Sequence, residues 1–387
     1  MKSNKTVEEI NKKIRQGDAV VITAEEVSKM ALTLSPEEII NEVDVVTTAT
    51  FGPMCSSGAF LNFGHSDPPI RMEEISLNNV PASGGLAAVD TFIGATETAK
   101  DDPYYGGAHV IYDLIDGKDV LLKARAKGTD CYPRKEIDTY INKKEINEMI
   151  LFNPRNAYQN YPAATNTTSS TKYTYMGILL PGLGNVTYST SGELSPLLND
   201  PELRTIGIGT KILLGGAEGF VAWNGTQFNT VRPKNKFGIP TINAATLAVI
   251  GNMKDMSTEF IRPAVYEKYG VSIFVGIGIP IPLLNKDIVR TVSIRNEQIE
   301  TTICDYGRNG HPALGKTNYQ QLQSGYIELG GERIQTAPLS SLYKARIIAE
   351  DLKNRIQRKK FFLTEPVQLF PKNTSLNGLK IRGKDYE

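Results

Sequence analysis

The sequence predicts an α/β fold of mixed sheets with flanking helices and long ordered loops. Three observations predict it. Helix-start signals alternate with β-branched runs over the first fifty residues. The second half carries apolar runs punctuated by glycine, which read as buried strands or strand-end turns. Near the end, Ser340–Ile356 places Leu342, Ala345, Ala349, Leu352 and Ile356 on one helical stripe. The expected parts are residues 1–165, an N-terminal α/β part, then 166–340, a glycine-rich α/β part, and 341–387, a helix and tail.

The elements follow from local chemistry. Thr6-Val7-Glu8-Glu9 is a capping box, Val7, Ile10 and Ile14 form the stripe behind it, and Gly17 closes the helix. Ala19–Thr23 reads as a strand. Thr23-Ala24-Glu25-Glu26 starts a second helix, and Ser35-Pro36-Glu37-Glu38 a third with proline in its first turn. Val43–Thr50 is the next strand, ended by Gly52-Pro53. Residues 61–110, rich in Gly, Pro, Asn and Asp, read as long ordered loops. Val110–Ile115 and Val120–Ala126 read as short elements. Ile146–Phe152 precedes a polar, aromatic segment, Asn153–Pro162. Thr165–Thr171 is the expected internal boundary. The tail from Phe361 to Glu387 is expected to wrap this body or a partner subunit, a homodimer being one arrangement open to the chain.

Composition narrows the function. The chain has 387 residues, 40% hydrophobic and 22% charged, and its net charge is +1. That balance gives no reason to expect nucleic acid or an anionic membrane. The longest apolar stretch, Val271–Leu284, is interrupted by Gly276, Gly278, Pro280 and Pro282, so no membrane span is expected. Lys2, Lys5 and Glu8-Glu9 open a polar first turn, unlike a secretory signal. Three cysteines, at 55, 131 and 304, make no disulfide framework. A cytoplasmic enzyme with reduced thiols is the expectation.

Cys55 is the first candidate for chemistry. It follows a strand and Gly52-Pro53, and Cys55-Ser56-Ser57-Gly58 reads as the start of a turn or helix. Free backbone N–H groups at such a place stabilise a thiolate. Lowering a thiol pKa from about 8.5 to about 6.5 raises the thiolate fraction at pH 7 from a few per cent to roughly three quarters. The competing reading is a buried cysteine packed as a small hydrophobe. His65, ten residues on, is a candidate partner if the fold brings it to the thiol. Cys131 sits in Gly128-Thr129-Asp130-Cys131-Tyr132-Pro133-Arg134-Lys135, where two basic residues favour a thiolate. The cysteines lack Cys-x-x-Cys spacing, so no metal or cluster is firmly implied. Convergence of Cys55, Cys131 and Cys304 on a [4Fe–4S] cluster stays open. The histidines show no zinc spacing.

Val275-Gly276-Ile277-Gly278-Ile279-Pro280 resembles the Gly-x-Gly-x-Pro loop of family I CoA-transferases. That resemblance implies a distantly CoA-transferase-like topology, an oxyanion and CoA-binding role for the loop, and Glu193 or Glu218 as an acyl-carrying glutamate.

A longer set of segments resembles the homocysteine biosynthesis enzyme family, the L-aspartate semialdehyde sulfurtransferases of methanogens and some anaerobic bacteria. The segments are VVTTATFGPMCSSGAFLNFGHSDPPIRM from Val45, GGLAAVDTFIGATE from Gly84, YGGAHVIYDLI from Tyr105, GTDCYPRKE from Gly128, NPRNAYQNY from Asn153, LSPLLNDP from Leu194 and VGIGIPIPLLN from Val275. The resemblance implies sulfur insertion into L-aspartate semialdehyde to give homocysteine, with a sulfur donor and a small ferredoxin-type [4Fe–4S] partner protein. Many members carry C-terminal CBS modules, for which this chain is expected to be too short. The family's cysteine motifs fall on Cys55 and Cys131. Cys55 is expected to carry a persulfide and Cys131 to resolve or reduce it, or the reverse. His65 and Asp130 are candidate proton carriers. Arg134, Arg155 or Arg71 is expected to hold the substrate carboxylate. Where the family is expected to have Thr-Gln-His, this chain has Thr226-Gln227-Phe228, so any role of that histidine is lost or moved. Two alternatives stay open: a CoA-transferase-like acyl-handling enzyme using a glutamate, and a non-catalytic protein of sulfur or iron–sulfur assembly.

Overall fold

The computed structural model describes residues 5–379; residues 1–4, Lys2 among them, and 380–387 lie outside it. In chain order the strands of the first half are β1 (Val21–Thr23), β2 (Val45–Pro53), β3 (Gly58–Asn62), β4 (Glu74–Leu77), β5 (Val80–Ser83), β6 (Asp90–Gly94), β7 (Val120–Arg125), β8 (Glu136–Ile141) and β9 (Glu148–Asn156). There follow β10 (Ala163–Thr165), β11 (Lys172–Thr174), β12 (Gly177–Leu179), β13 (Val186–Tyr188), β14 (Lys211–Leu214), β15 (Ala217–Asn224), β16 (Leu247–Asn252), β17 (Ile261–Tyr266) and β18 (Gly270–Pro282). The last are β19 (Glu300–Asp305), β20 (Ala313–Asn318), β21 (Tyr326–Leu329) and β22 (Glu332–Pro338). The α-helices are α1 (Val7–Gln16), α2 (Ala24–Met30), α3 (Pro36–Glu42), α4 (Gly107–Asp116), α5 (Pro196–Asn199), α6 (Lys286–Val292), α7 (Tyr319–Gln323) and α8 (Leu342–Gln357).

Fourteen strands form one mixed sheet in the order β1-β2-β18-β14-β15-β16-β9-β3-β6-β5-β4-β7-β8, with β17 on β18. A second sheet runs β20-β19-β10-β13-β22-β21, and β11 and β12 form a two-stranded ribbon. The large sheet cannot be flat. Six strand steps separate β2 from β3, about 29 Å at ordinary spacing. Only Met54–Ser57 joins them in the chain, a link that reaches about 19 Å at most. The sheet therefore curls until the end of β2 meets the start of β3, and Cys55 sits on the seam.

The three capping boxes form as the sequence predicts. Thr6, Thr23 and Ser35 each accept from the backbone N–H three residues on, and Glu9, Glu26 and Glu38 each accept from the cap's own N–H. β2 starts two residues later than expected and runs through Pro53. Met54 N–H points to β18, donating to Ile273 O at 2.7 Å. Donors alternate along a strand, so the one Pro53 lacks would face the other side. There β1 covers only Val45–Thr47, and the proline removes no ladder bond.

The loops expected over residues 61–110 contain β4, β5, β6 and the first turn of α4. Asn78 and Asn79, with φ of 48° and 64°, turn β4 into β5. Two residues at positive φ fit the right-handed twist of a tight hairpin. The division near residue 165 does not separate sheets, since β14–β16 and β18 from its far side pair with β2 and β9.

Gly276 and Gly278 are not in a loop. They lie within β18, paired with Phe51 and Ala49 of β2. A Cβ on Gly276 would stand 2.7 Å from Ile348 Cδ1, and one on Gly278 3.2 Å from Ile348 Cγ2. These glycines let α8 pack its buried stripe, Ala345, Ile348, Ala349, Leu352 and Ile356, onto the strand. The tail folds back on this chain: Phe361, Leu363 and Phe370 are buried, Ile208 and Gln368 form a bridge, and Thr230 N–H donates to Thr374 O at 3.0 Å.

Asp44 fastens the N-terminal helix to β2. Its side chain, 2% exposed, accepts from Lys5 Nζ at 2.8 Å and Lys13 Nζ at 2.7 Å. It also accepts from Val20 N–H at 3.1 Å. Burial pushes the carboxyl pKa up, but the lysines and the backbone donor outweigh it and the net shift is downward. A lowered carboxyl pKa stabilises the fold above its unfolded value, and this stability disappears as pH falls through the folded value. Asp44→Asn is expected to cost about 3 kcal/mol near pH 7. Urea unfolding should show that difference shrinking below about pH 4.

Candidate active site

Cys55 and Ser56 occupy the centre of a tight turn, with Ser57 N–H donating to Met54 O at 3.0 Å. No helix begins here, so the helix-start stabilisation of a thiolate is absent. Other groups hold the turn. Ser56 Oγ donates to Asn153 Oδ1 at 3.1 Å, and Asn153 Nδ2 donates to Ser57 Oγ at 2.7 Å. Asn153 is fully buried, and its Oδ1 also accepts from Arg155 N–H at 2.8 Å. One asparagine thus locks the Cys55 turn to β9. The thiol is exposed, which excludes the packed-hydrophobe reading.

Cys55 opens onto a cavity of about 80 Å³ between the large sheet and the small one. Its walls come from the end of β2 (Thr50, Pro53), the segment after β9 (Tyr158, Tyr161) and Tyr175 between β11 and β12. Thr190, Ser195, Ser340 and the β17–β18 hairpin (Tyr266, Tyr269, Ser272) complete it. Thr190 has φ of 70° and Ala157, also in the wall, 48°. A β-branched residue in that region is strained by about 1–3 kcal/mol, and such strain collects at functional sites.

The phenols are kept protonated. Burial pushes Tyr158 up to about 12, Cys55 adding to the shift and Arg155 opposing it. Burial likewise holds Tyr266 at about 12, again with Cys55 nearby. Tyr161 and Tyr306 are raised further by burial and by their tyrosine neighbours. Tyr161 donates to Tyr175 at 3.2 Å, and the Tyr175 and Tyr306 hydroxyls lie 3.1 Å apart. At neutral pH this wall offers O–H donors and no phenolate. Arg155 lies beside Tyr158 of the wall, and its Nε donates to Thr226 Oγ1 at 3.2 Å.

The remaining predicted residues fall elsewhere. Cys131 and Asp130 are exposed on the loop between β7 and β8. That loop docks on residues 65–69: Arg134 donates from Nε to Pro68 O at 2.9 Å and from Nη2 to Asp67 O at 2.7 Å. His65 stacks with Tyr132 at 6.1 Å between ring centroids. His65 therefore meets the Cys131 loop and is absent from the Cys55 cavity wall, and Arg134 is committed to loop carbonyls. Arg71 is exposed and outside the wall. Cys304 lies on β19 opposite Ala164. It is buried, and burial pushes its thiol up. The three thiols do not gather: no metal-binding group of three or more His, Cys, Asp or Glu forms among the described residues. Iodoacetamide is accordingly expected to label Cys55 and Cys131 at least about ten times faster than Cys304 at pH 8, read by peptide mass spectrometry. Equal rates would contradict this placement.

Neither candidate glutamate reaches the cavity wall. Glu193 accepts from Asn296 N–H at 3.0 Å, and Glu218 pairs with Lys211 at 2.6 Å. Phe228 is buried against Phe370, ring centroids 5.5 Å apart, away from the cavity wall.

A family model described as homocysteine biosynthesis enzyme, sulfur-incorporation, matches residues 19–363. The chain belongs to this family. It is 48% identical over 379 residues to the L-aspartate semialdehyde sulfurtransferase of Methanosarcina acetivorans, covering 97% of this chain and 74% of that protein. It is 51% identical over 381 residues to the L-aspartate semialdehyde sulfurtransferase of Methanocaldococcus jannaschii, covering 94% of this chain and 72% of that one. No solved structure matches the chain. No helix among the described residues is long and apolar enough to cross a membrane. Of the three cysteines, Cys55 is the one on the cavity wall. The sequence missed Asn153, Thr190, Tyr175, Tyr266, Tyr269 and Ser272. Only the polar, aromatic segment Asn153–Pro162 gave a local signal for Tyr158 and Tyr161.

Proposed function

We propose that the protein inserts sulfur into L-aspartate semialdehyde to make homocysteine, with Cys55 carrying the sulfur as a persulfide. The observation behind this reading is that Cys55, alone of the three cysteines, stands on the wall of a partly open aromatic cavity. An aldehyde bound there loses bulk water and meets protonated phenols. Arg155, beside Tyr158 and tied to the Cys55 turn through Asn153, takes the substrate carboxylate.

The balance fixes what else is needed. Sulfide adds to the aldehyde, water leaves, and two electrons and two protons reduce the thiocarbonyl to a thiol. When the sulfur arrives as a persulfide, two further electrons and protons cleave the S–S bond and return Cys55 as a thiol. A ferredoxin-type [4Fe–4S] partner supplies these electrons one at a time. Cys131, exposed on its own loop, acts as the resolving thiol when that loop reaches Cys55. The cytoplasm, which keeps thiols reduced, suits this chemistry. The glutamate-based reading loses its support, because neither Glu193 nor Glu218 lines the cavity.

The test is anaerobic. The protein is incubated with a sulfur donor, and the Cys55 peptide is weighed. A mass gain of one sulfur on Cys55, with homocysteine formed once reductant and aldehyde are added, supports the reading. An unmodified Cys55 in a protein that turns over rejects it. Sulfur transfer surviving in both Cys55→Ser and Cys131→Ser would favour the assembly-protein alternative.

A further inference from the structure

Two hydroxyls in the Cys55 cavity have no partner. Ser272 Oγ and Tyr266 Oη are buried, and neither finds a hydrogen bond among the described residues. Ser272 is 1% exposed. Buried hydroxyls are nearly always bonded, so two orphans in one cavity wall mark a place where a ligand supplies the missing bond. Other hydroxyls of the wall are already engaged: Tyr161 donates to Tyr175, and Tyr175 meets Tyr306.

The hairpin register brings the two orphans together. β17 and β18 pair Tyr266 with Gly270 and Ala264 with Ser272. Tyr266 and Ser272 are thus diagonal neighbours on one face, roughly 7–8 Å apart along the backbone. Cys55 lies close enough to Tyr266 and Tyr269 for a negative charge on its sulfur to disfavour their ionisation. No carboxylate and no cationic side chain lines the cavity. Arg155 stands behind Tyr158, where the substrate carboxylate is placed, so negative charge that develops at the Tyr266–Ser272 side meets the O–H donors of the wall.

We propose that Tyr266 Oη and Ser272 Oγ donate to the oxygen of the substrate aldehyde and hold the alkoxide formed when sulfur on Cys55 attacks the carbonyl carbon. The inference rests on the reading of Cys55 as sulfur carrier. A lone pair of the terminal sulfur forms the C–S bond, the C=O π bond breaks, and its electron pair moves to oxygen between the two donors. No electrons enter or leave in this step. Burial keeps the Tyr266 phenol protonated at neutral pH and so able to donate. Both residues touch the reacting oxygen, and a donor aimed at developing charge is worth about 10²–10³-fold in kcat.

The test compares Tyr266→Phe and Ser272→Ala with the wild type and with Cys55→Ser, each first loaded with a sulfane-sulfur donor such as polysulfide and freed of excess donor, then given L-aspartate semialdehyde and a chemical reductant. Each hydroxyl variant is expected to lose about 10²-fold in kcat with KM changed less than threefold. Sulfur loading of Cys55, weighed separately, should be unchanged. Ser272→Thr, which keeps a hydroxyl, should recover part of the loss. Melting temperatures should be unchanged or higher, because the removed hydroxyls bond nothing in the fold; a fall in melting temperature would mark a structural role and overturn the inference. Wild-type kcat in both hydroxyl variants alongside an inactive Cys55→Ser overturns this inference alone. An active Cys55→Ser with slowed hydroxyl variants supports the donor pair and rejects sulfur on Cys55.

Discussion

Cys55→Ser is expected to abolish homocysteine formation, by at least about 10³-fold, while leaving the fold intact. The activity loss follows from chemistry: a serine oxygen cannot carry a transferable sulfur. The intact fold follows from position. Cys55 is exposed at the tip of the Met54–Ser57 turn, and Asn153 holds that turn through Ser56, Ser57 and Arg155, none of them through the thiol. Stability should stay within about 0.5 kcal/mol of the wild type. Cys131→Ser should behave differently, still accepting sulfur on Cys55 in a single loading but slowing repeated turnover. The measurement is homocysteine release under anaerobic conditions, beside urea unfolding. A Cys55→Ser protein within tenfold of wild-type turnover would remove Cys55 from the chemistry.

Gly107→Ala is expected to be the most damaging small substitution in the fold, costing more than about 3 kcal/mol. A Cβ on Gly107 would fall 1.9 Å from Gly94 O and 2.9 Å from Gly94 C. Both are backbone atoms, which cannot swing aside. The approach is close for a reason. Gly107 N–H donates to Glu97 O at 2.8 Å and Ala108 N–H to Ala95 O at 2.9 Å, so the first turn of α4 finds its acceptors in the turn after β6. That same turn gives Ala95 N–H to Ser57 O at 2.8 Å, beside Cys55. The substitution should therefore lower activity as well as stability. Gly117→Ala is the control: its φ is 83° but nothing lies within 4 Å, so strain alone, about 1 kcal/mol, is expected. Urea midpoints separate the two. A Gly107→Ala midpoint equal to that of Gly117→Ala would show that the helix end gives way freely.

What the sequence made legible was local. The three capping boxes were readable because the bonds of each join residues three apart. Cys55 was readable because a strand, a glycine and a proline precede it directly. The hairpin at Asn78-Asn79 was passed over because β4 and β5 have only four residues each, too few to show alternation among polar neighbours. Gly276 and Gly278 bear out the buried-strand reading of their run and not the loop resemblance, for a physical reason. Glycine that yields space to a packed helix looks, in sequence, like glycine that frees a loop. The cavity was illegible as a whole. Its walls come from positions near 55, 158, 175, 190, 270 and 340, and nothing in the local pattern at Tyr175, Tyr266 or Ser272 refers to the others.

The seam between β2 and β3 carries a consequence for the order in which the protein comes into being. Cys55 leaves the ribosome early, and the three capped helices near it can form at once. Its neighbours arrive much later. Thr48 Oγ1 bonds Ile279 O across 231 positions, and Leu339 and Ser340, also in the cavity wall, come later still. Closing such distances is slow compared with forming local helices. Through most of its synthesis the nascent chain therefore presents a bare thiol at a half-built edge, open to any oxidant or electrophile nearby. The cavity wall is complete only when Leu339 and Ser340, in the last eighth of the chain, fold home, which makes timing as well as geometry part of how this thiol is sheltered.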